Sequence, residues 1–210
     1  GKMKYPYAAA YKAGWNLAEE FVNMYIGHGG EFFDAGSAKP SINNAKGVAT
    51  LNMLKKLADL SNPDFLTHDS EAIKVEWEAG NVAIMTLWAS RAGTLLDAEG
   101  DAKITAATKL IAPATVGGGS IPATTLWWDG FTLAKNRSDA DAEASFRAMA
   151  HAASSKEMVA KAADQAVWLV EGFVPGPKSV GVIEAVKMGA KPYPMLPQMG
   201  LMHGALGSEI

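Results

Sequence analysis

An α/β fold is what this sequence predicts, and three features predict it. Segments of strand pattern alternate with segments of helical period along the chain. The run Asn81-Val82-Ala83-Ile84-Met85-Thr86-Leu87-Trp88 has no polar face, as expected of a strand buried on both sides. Residues 15–26, by contrast, carry Leu17, Phe21, Met24 and Tyr25 at the spacing of an amphipathic helix.

In chain order, residues 5–11 read as the first strand, the helix over 15–26 follows, and Gly27 to Gly30 end it. Residues 31–36 form a short strand entering a turn. Asn43 or Asn44 can cap a helix that sets Val48, Leu51, Leu54 and Leu57 on one face. A further helix spans about 69–79, closed by Gly80, and the buried strand to Trp88 comes next. Residues 90–98 suit a short helix, 103–114 a strand, and 117–120 a glycine-rich loop.

Another strand then leads into Leu126-Trp127-Trp128-Asp129-Gly130-Phe131. Residues 139–153 place Ala142, Phe146, Met149, Ala150 and Ala153 on one face, with acids in the first turn, where the helix dipole favours them. Ser154-Ser155-Lys156-Glu157 supplies a capping box for the next helix. A last helix covers 179–188, after which Pro192, Pro194 and Pro197 impose extended chain.

Composition narrows the function classes. The chain has 210 residues, 49% hydrophobic, and a formal net charge of −3 with its lysines and arginines scattered, which disfavours nucleic acid as a partner. Without cysteine there is no disulfide framework, thiolate metal site or cysteine nucleophile. No stretch reaches the roughly 18 to 20 apolar residues of a membrane-spanning helix.

Enzymatic motifs are equally scarce. His28, His68, His151 and His203 are far apart and form no zinc-protease pattern, and the glycine clusters complete neither a dinucleotide nor a phosphate loop. No cofactor or metal is expected. One catalytic alternative stays open, in which Asp129 and Glu171 are the paired carboxylates of a glycan hydrolase. Another alternative is a protein-interaction module that docks through exposed aromatics.

The tract around Trp127 and Trp128 suggests binding instead. Successive side chains of an extended segment point to opposite faces, so both indoles cannot enter one core. Trp offers a flat apolar face and Asp two acceptors, a combination suited to a small polyhydroxylated ligand. One core Trp beside one rim Trp is the plainer reading of the same residues.

Gly29-Gly30-Glu31-Phe32-Phe33-Asp34, the helix over 44–60 and Trp77-Glu78-Ala79-Gly80-Asn81-Val82-Ala83-Ile84-Met85 together resemble the second lobe of ABC-transporter solute-binding proteins of the maltose-binding type. The resemblance continues through Asp129-Gly130-Phe131, the helix pair over 139–166 and Tyr193-Pro194-Met195-Leu196-Pro197-Gln198-Met199. It implies a two-lobed periplasmic-binding-protein type II fold, with carbohydrate bound between the lobes and delivered to a membrane permease without catalysis. It also implies a periplasmic location, or an extracellular membrane-associated one.

By the same comparison, residues 1–129 and 169–210 build the second lobe and 130–168 belong to the first. Both ends look cut, and most of the first lobe of the same parent protein, a further partner of this chain, is expected to lie outside it. The resemblance marks Trp88 as the sugar-stacking residue, with Trp127, Trp128 and Asp129 at a lobe crossover. Arg91 can grip vicinal hydroxyls or pair with an acid at a helix start. Tyr11 and Trp15 match a second aromatic subsite, Glu171 a return to the cleft. His203 stands where the maltose-binding type carries a tryptophan, a departure that points to a smaller or different sugar.

Overall fold

Two parallel strand pairs organise the chain in a computed structural model that describes residues 3–97, 101–164 and 167–210. β1 (Tyr5–Ala8) pairs with β2 (Val82–Met85), Tyr5 opposite Val82 and Tyr7 opposite Ile84. β3 (Thr125–Leu126) pairs with β4 (Lys191–Pro192), Leu126 opposite Pro192. Parallel partners need long crossovers, and helices supply them. Between β1 and β2 lie α1 (Trp15–Gly27), α2 (Ala45–Ala58) and α3 (Ser70–Glu78). The short α4 (Ala89–Ala92) and α5 (Ala102–Ala107) follow β2. Between β3 and β4 come α6 (Asp139–Ser154), α7 (Lys156–Lys161) and α8 (Val180–Lys187), and α9 (Pro197–Glu209) comes last. No helix of the described residues is long and apolar enough to cross a membrane.

α1 is the centre of the main core. Its Leu17, Phe21, Val22, Met24 and Tyr25 are buried, as the 3.6-residue period requires, against α2 on one side and α9 on the other. Leu54 enters from α2, and Met199, Met202 and Leu206 enter from α9. Tyr25 has no exposed surface, and its hydroxyl donates to the Glu31 carbonyl at 3.1 Å and accepts from Asn44 Nδ2 at 2.9 Å. Asn44 caps α2 as expected, through Oδ1 to the amides of Lys46 and Gly47. A smaller cluster joins Ala8, Ala10, Ile73 and Val82 beneath Trp77, whose Nε1–H donates to Thr108 Oγ1 at 3.0 Å.

Several expectations need correction. Of the expected buried strand over 81–88, only Val82 is buried, and Ala83 and Ile84 are exposed, because no further strand flanks β2 among the described residues. Residues 103–114 are not a strand: Asp101 accepts from the Lys103 amide and starts α5, which runs only to Ala107. The inward face of α2 is set by Gly47, Thr50 and Leu54, while Val48 and Leu51 are exposed. A Cβ at Gly47 would strike the Ile42 carbonyl, so the small residue allows this close approach.

Residues 31–36 make a turn closed by a single Phe33–Pro40 bridge. No residue of α6 is buried, so its apolar face, Phe146 included, is uncovered among the described residues. α7 is capped by Ser155 rather than Ser154. Pro197 opens α9 instead of prolonging extended chain, since its missing N–H costs nothing in a first turn. Gly1, Lys2 and the expected helix limits Ala98 and Ala166 lie outside the described residues.

α9 is seated on α1 by a close contact of Gly207 with the Gly14 carbonyl, and the Gly14 amide donates to the Gly207 carbonyl at 2.8 Å. Nothing lies within 4 Å of a Cβ built at Gly204, one turn earlier on α9. Gly207→Ala is therefore expected to lower the melting temperature, at an overpacking cost of about 1–3 kcal/mol. Gly204→Ala should raise it, by up to about 1 kcal/mol of helix propensity. Thermal denaturation of the two variants side by side checks this seating, and equal shifts contradict it.

Candidate functional site

In parallel pairs both chains leave the sheet at the same edge, which brings distant aromatic residues together. Trp15 starts the helix after β1, and Trp88 lies three residues beyond β2, preceding α4. Trp127 follows β3 directly and Tyr193 follows β4, the Tyr193 amide donating to the Leu126 carbonyl at 3.1 Å. The rings meet in one wall. Trp127 stacks on Tyr193 with centroids 4.4 Å apart, contacts Trp15 at 5.6 Å, and takes Trp88 edge-on at 5.7 Å. Trp15 in turn stacks on His203 of α9 at 4.1 Å.

An open cleft of about 500 Å³ lies against this wall, lined by Trp15, Asn16, Asp69, Ser70, Glu71, Trp88, Ser90 and Arg91. Its polar side is made by the first turns of α1, α3 and α4. Asp69 caps α3 by accepting from the Glu71 and Ala72 amides, which holds its carboxyl below the usual range, with help from Lys12 at 3.4 Å. Ser70 Oγ donates to Asn16 Oδ1 at 3.2 Å, tying α3 to α1.

Arg91 Nε pairs with Glu71 Oε1 at 2.8 Å, so the arginine does meet an acid at a helix start. No side chain caps α1, whose first turn carries Trp15 and Asn16 at the cleft. The cleft thus offers indole faces, hydroxyls, carboxylates and N–H donors at one opening, with acids and bases already paired.

The expected site residues divide. Trp15, Trp88, Trp127 and Arg91 come together at the wall or cleft. Tyr11 does not: it is buried in the core, edge-on to Phe65 at 5.7 Å. Its hydroxyl finds no hydrogen-bond partner of good geometry, and burial pushes its pKa far up. Trp128 projects away, 69% exposed, so of the opposed pair it is Trp127 that joins the wall. Asp129 and Glu171 are exposed and line no part of the cleft. No three His, Asp or Glu side chains converge to hold a metal ion among the described residues.

His203 is 3% exposed and lies behind Trp15, not in the opening. Its Nε2 faces the Trp15 carbonyl at 3.2 Å and Nδ1 faces the Tyr193 hydroxyl at 2.9 Å. A carbonyl only accepts, so Nε2 carries the proton and Tyr193 donates to Nδ1. Burial lowers the His203 pKa, partly offset by the Trp15 carbonyl, and the ring is neutral. Burial and the nearby Glu19 push the Tyr193 hydroxyl up to about 12.

Behind Trp127 sits an acid that the sequence reading passed over. Glu19 is 4% exposed, with Oε1 2.7 Å from Thr125 Oγ1, and burial raises its pKa to about 7 against the pull of Thr125, Trp127 and Asn23. The half-buried Glu20 is raised to about 8 by burial first and by Glu19 second, against the Ala10 amide. Tyr193, Asn16, Ser70 and Glu71 were also missed. The signal for Tyr193 was its place after an extended pair, and for Ser70 and Glu71 their place beside the Asp69 cap.

No protein-family model matches the chain, and no curated relative does. Two solved structures do match in fold. One is an ABC transporter solute-binding protein from Agrobacterium radiobacter K84 in complex with ribitol: 17% identity, TM-score 0.71, covering 98% of this chain and 53% of that one. The other is maltose-bound MalE3 of T. maritima: 17% identity, TM-score 0.69, covering 98% of this chain and 56% of that one. The fold is therefore the α/β periplasmic-binding-protein type II fold, and the chain spans about half the length of the structures it matches.

Glu19 and Glu20 retain protons in the folded chain at pH values where an unfolded chain, with carboxyls near about 4.3, has released them. Their contribution to stability is full below that value and is lost as pH rises through about 7 to 8. Above about pH 6.5 unfolded histidines are neutral too, so His28 and His203 add little there. The urea midpoint is expected to fall between about pH 6.5 and 8.5, and to do so less in the double variant E19Q/E20Q. A midpoint that rises over this interval contradicts the assignment.

Proposed function

We propose that this chain binds a small neutral carbohydrate or polyol in the cleft beside Trp15 and Trp88, as the solute-binding component of an ABC importer. The observation that carries the reading is the aromatic wall: four rings delivered by four strand ends to the margin of a cleft rich in hydroxyl, amide and guanidinium groups. An indole face packs against the C–H face of a sugar ring, while paired Arg91, Glu71 and Asp69 donate to and accept from its hydroxyls. Because the acids already have cationic partners, the opening suits a ligand without net charge.

The ribitol-bound and maltose-bound structures of like fold support the ligand class. The permease partner, delivery without catalysis, and a periplasmic location belong to the same reading. So does the lobe division, with 1–129 and 169–210 in one lobe and 130–168 in the other. The uncovered face of α6 supports that division, since a helix of the other lobe has its packing partners there.

Thermal-shift and calorimetric titrations with monosaccharides, disaccharides and polyols test the ligand class, and binding confined to amino acids or metal ions overturns it. Trp88→Ala is expected to weaken saccharide or polyol binding about tenfold, the loss of one stacking contact. Trp128→Ala should leave it within roughly twofold, because that indole is off the wall. The opposite ranking places the site elsewhere.

A further inference from the structure

With the Asn23 amide oxygen turned to Thr125, the hydrogen atoms around Glu19 do not balance if Glu19 is a carboxylate. Thr125 Oγ1 lies 2.7 Å from Glu19 Oε1 and 3.0 Å from Asn23 Oδ1. A hydroxyl has one proton and serves one of two acceptors. Asn23 Oδ1 has none to give, whereas a carboxyl group does. A proton on Glu19 Oε1 satisfies both contacts in one chain, Glu19 to Thr125 to Asn23.

Glu19 Oε2 is then a carbonyl-type oxygen, buried without a hydrogen-bond partner, 4.0 Å from His203 Nδ1. That nitrogen is the one receiving the Tyr193 hydroxyl. The titratable groups facing Glu19 are its neighbour Glu20 on α1, His203 on α9 and Tyr193 after β4. β3 adds only the Thr125 hydroxyl and, just beyond it, the Trp127 N–H. No lysine or arginine comes within ion-pair distance of it among the described residues.

We propose that Glu19 is a positioning residue for the aromatic wall, and that the wall is assembled only while Glu19 holds its proton. Loss of that proton to solvent places a negative charge beside the His203 lone pair. The charge draws the Tyr193 O–H away from His203 Nδ1 and towards Oε2, which breaks the Tyr193-to-His203 hydrogen bond. Tyr193 carries the Trp127 stack and His203 the Trp15 stack, so both indoles lose their backing together. Ligand is therefore held with a proton retained on the protein, and affinity falls as pH rises through neutrality. The ligand part rests on the function proposed above, whereas the wall part stands on the geometry alone.

The wall is tested without ligand, by carboxyl carbon NMR of Glu19 and by tryptophan fluorescence of the 210-residue chain from about pH 5.5 to 8.5. Both are expected to show one step near neutrality, with the fluorescence step absent in Glu19→Gln and kept in Trp128→Ala. A Glu19 that titrates near the ordinary value of about 4.3, or a fluorescence step that survives in Glu19→Gln, overturns the proposal. Should Glu19→Gln fail to fold, the NMR titration of the unsubstituted protein decides alone.

Ribitol and maltose serve as ligand probes. Their affinity is expected to drop roughly fivefold to tenfold between pH 6 and 8, and to be flat in Glu19→Gln. If the ligand-free step is present but neither probe nor any other saccharide binds at either pH, the wall mechanism stands and the ligand assignment falls. Saccharide binding with no pH dependence, alongside a flat ligand-free titration, has the reverse meaning.

Discussion

Everything at the cleft depends on the parallel pairing of β1 with β2 and of β3 with β4. Parallel strands send their carboxyl ends to one edge, and each pair fixes its two outgoing segments side by side. Ligands of open α/β folds bind beyond the carboxyl ends for this reason. Here the pairing does more than open a crevice. The Leu126–Pro192 register puts Trp127 beside Tyr193, and the β1–β2 register brings α1 and α4 out together with Trp15 and Trp88 at their starts. A slip of one residue in either pair would turn these rings away from one another.

The wall makes demands on the core behind it. α1 must bury Leu17, Phe21 and Tyr25 on the side that meets α2 and α9, yet its Glu19 and Glu20 leave solvent as well. An unpaired buried carboxylate is too costly to keep, and neutralisation by a proton is the usual escape. The same burial that costs stability above neutrality gives the base of the wall a group whose charge changes in the physiological range. A hydrophobic residue at position 19 would avoid that cost and would remove the acid that lies between Thr125 and His203.

Much of this was legible in the amino-acid sequence. The helices over 15–26, 69–79 and 179–188 were read from the sequence, and of the two candidate caps Asn43 and Asn44 it is Asn44 that caps α2. Trp88 was picked out by the resemblance and Arg91 by its place just beyond it, and both border the cleft. What was not legible came from pairing partners far away in the chain. Residues 103–114 have strand-like composition, but Asp101 offers a cap and a helix forms.

Tyr11 and Trp15 are both aromatics after one strand, and only the packing of α1 on Phe65 and α9 decides that Tyr11 turns inward and Trp15 outward. Which of Trp127 and Trp128 faces the wall is a matter of register with the distant β4, which pairs Leu126 with Pro192. Glu19 carried no local sign at all, since an acid on a helix is ordinarily a solvated one.

His203, expected at the cleft from the resemblance, is buried behind it. Set in the position of a cleft tryptophan, it suggests a polar contact with a smaller sugar. In the fold it stands one layer back, with its ring against Trp15 and its two nitrogens committed to the Trp15 carbonyl and the Tyr193 hydroxyl. A tryptophan there could stack but could not bridge these two groups, having one donor and no acceptor. His203 therefore bears on how the wall is supported, and it lines no part of the opening. The opening itself is bordered by Trp15, Trp88 and the first turns of α1, α3 and α4.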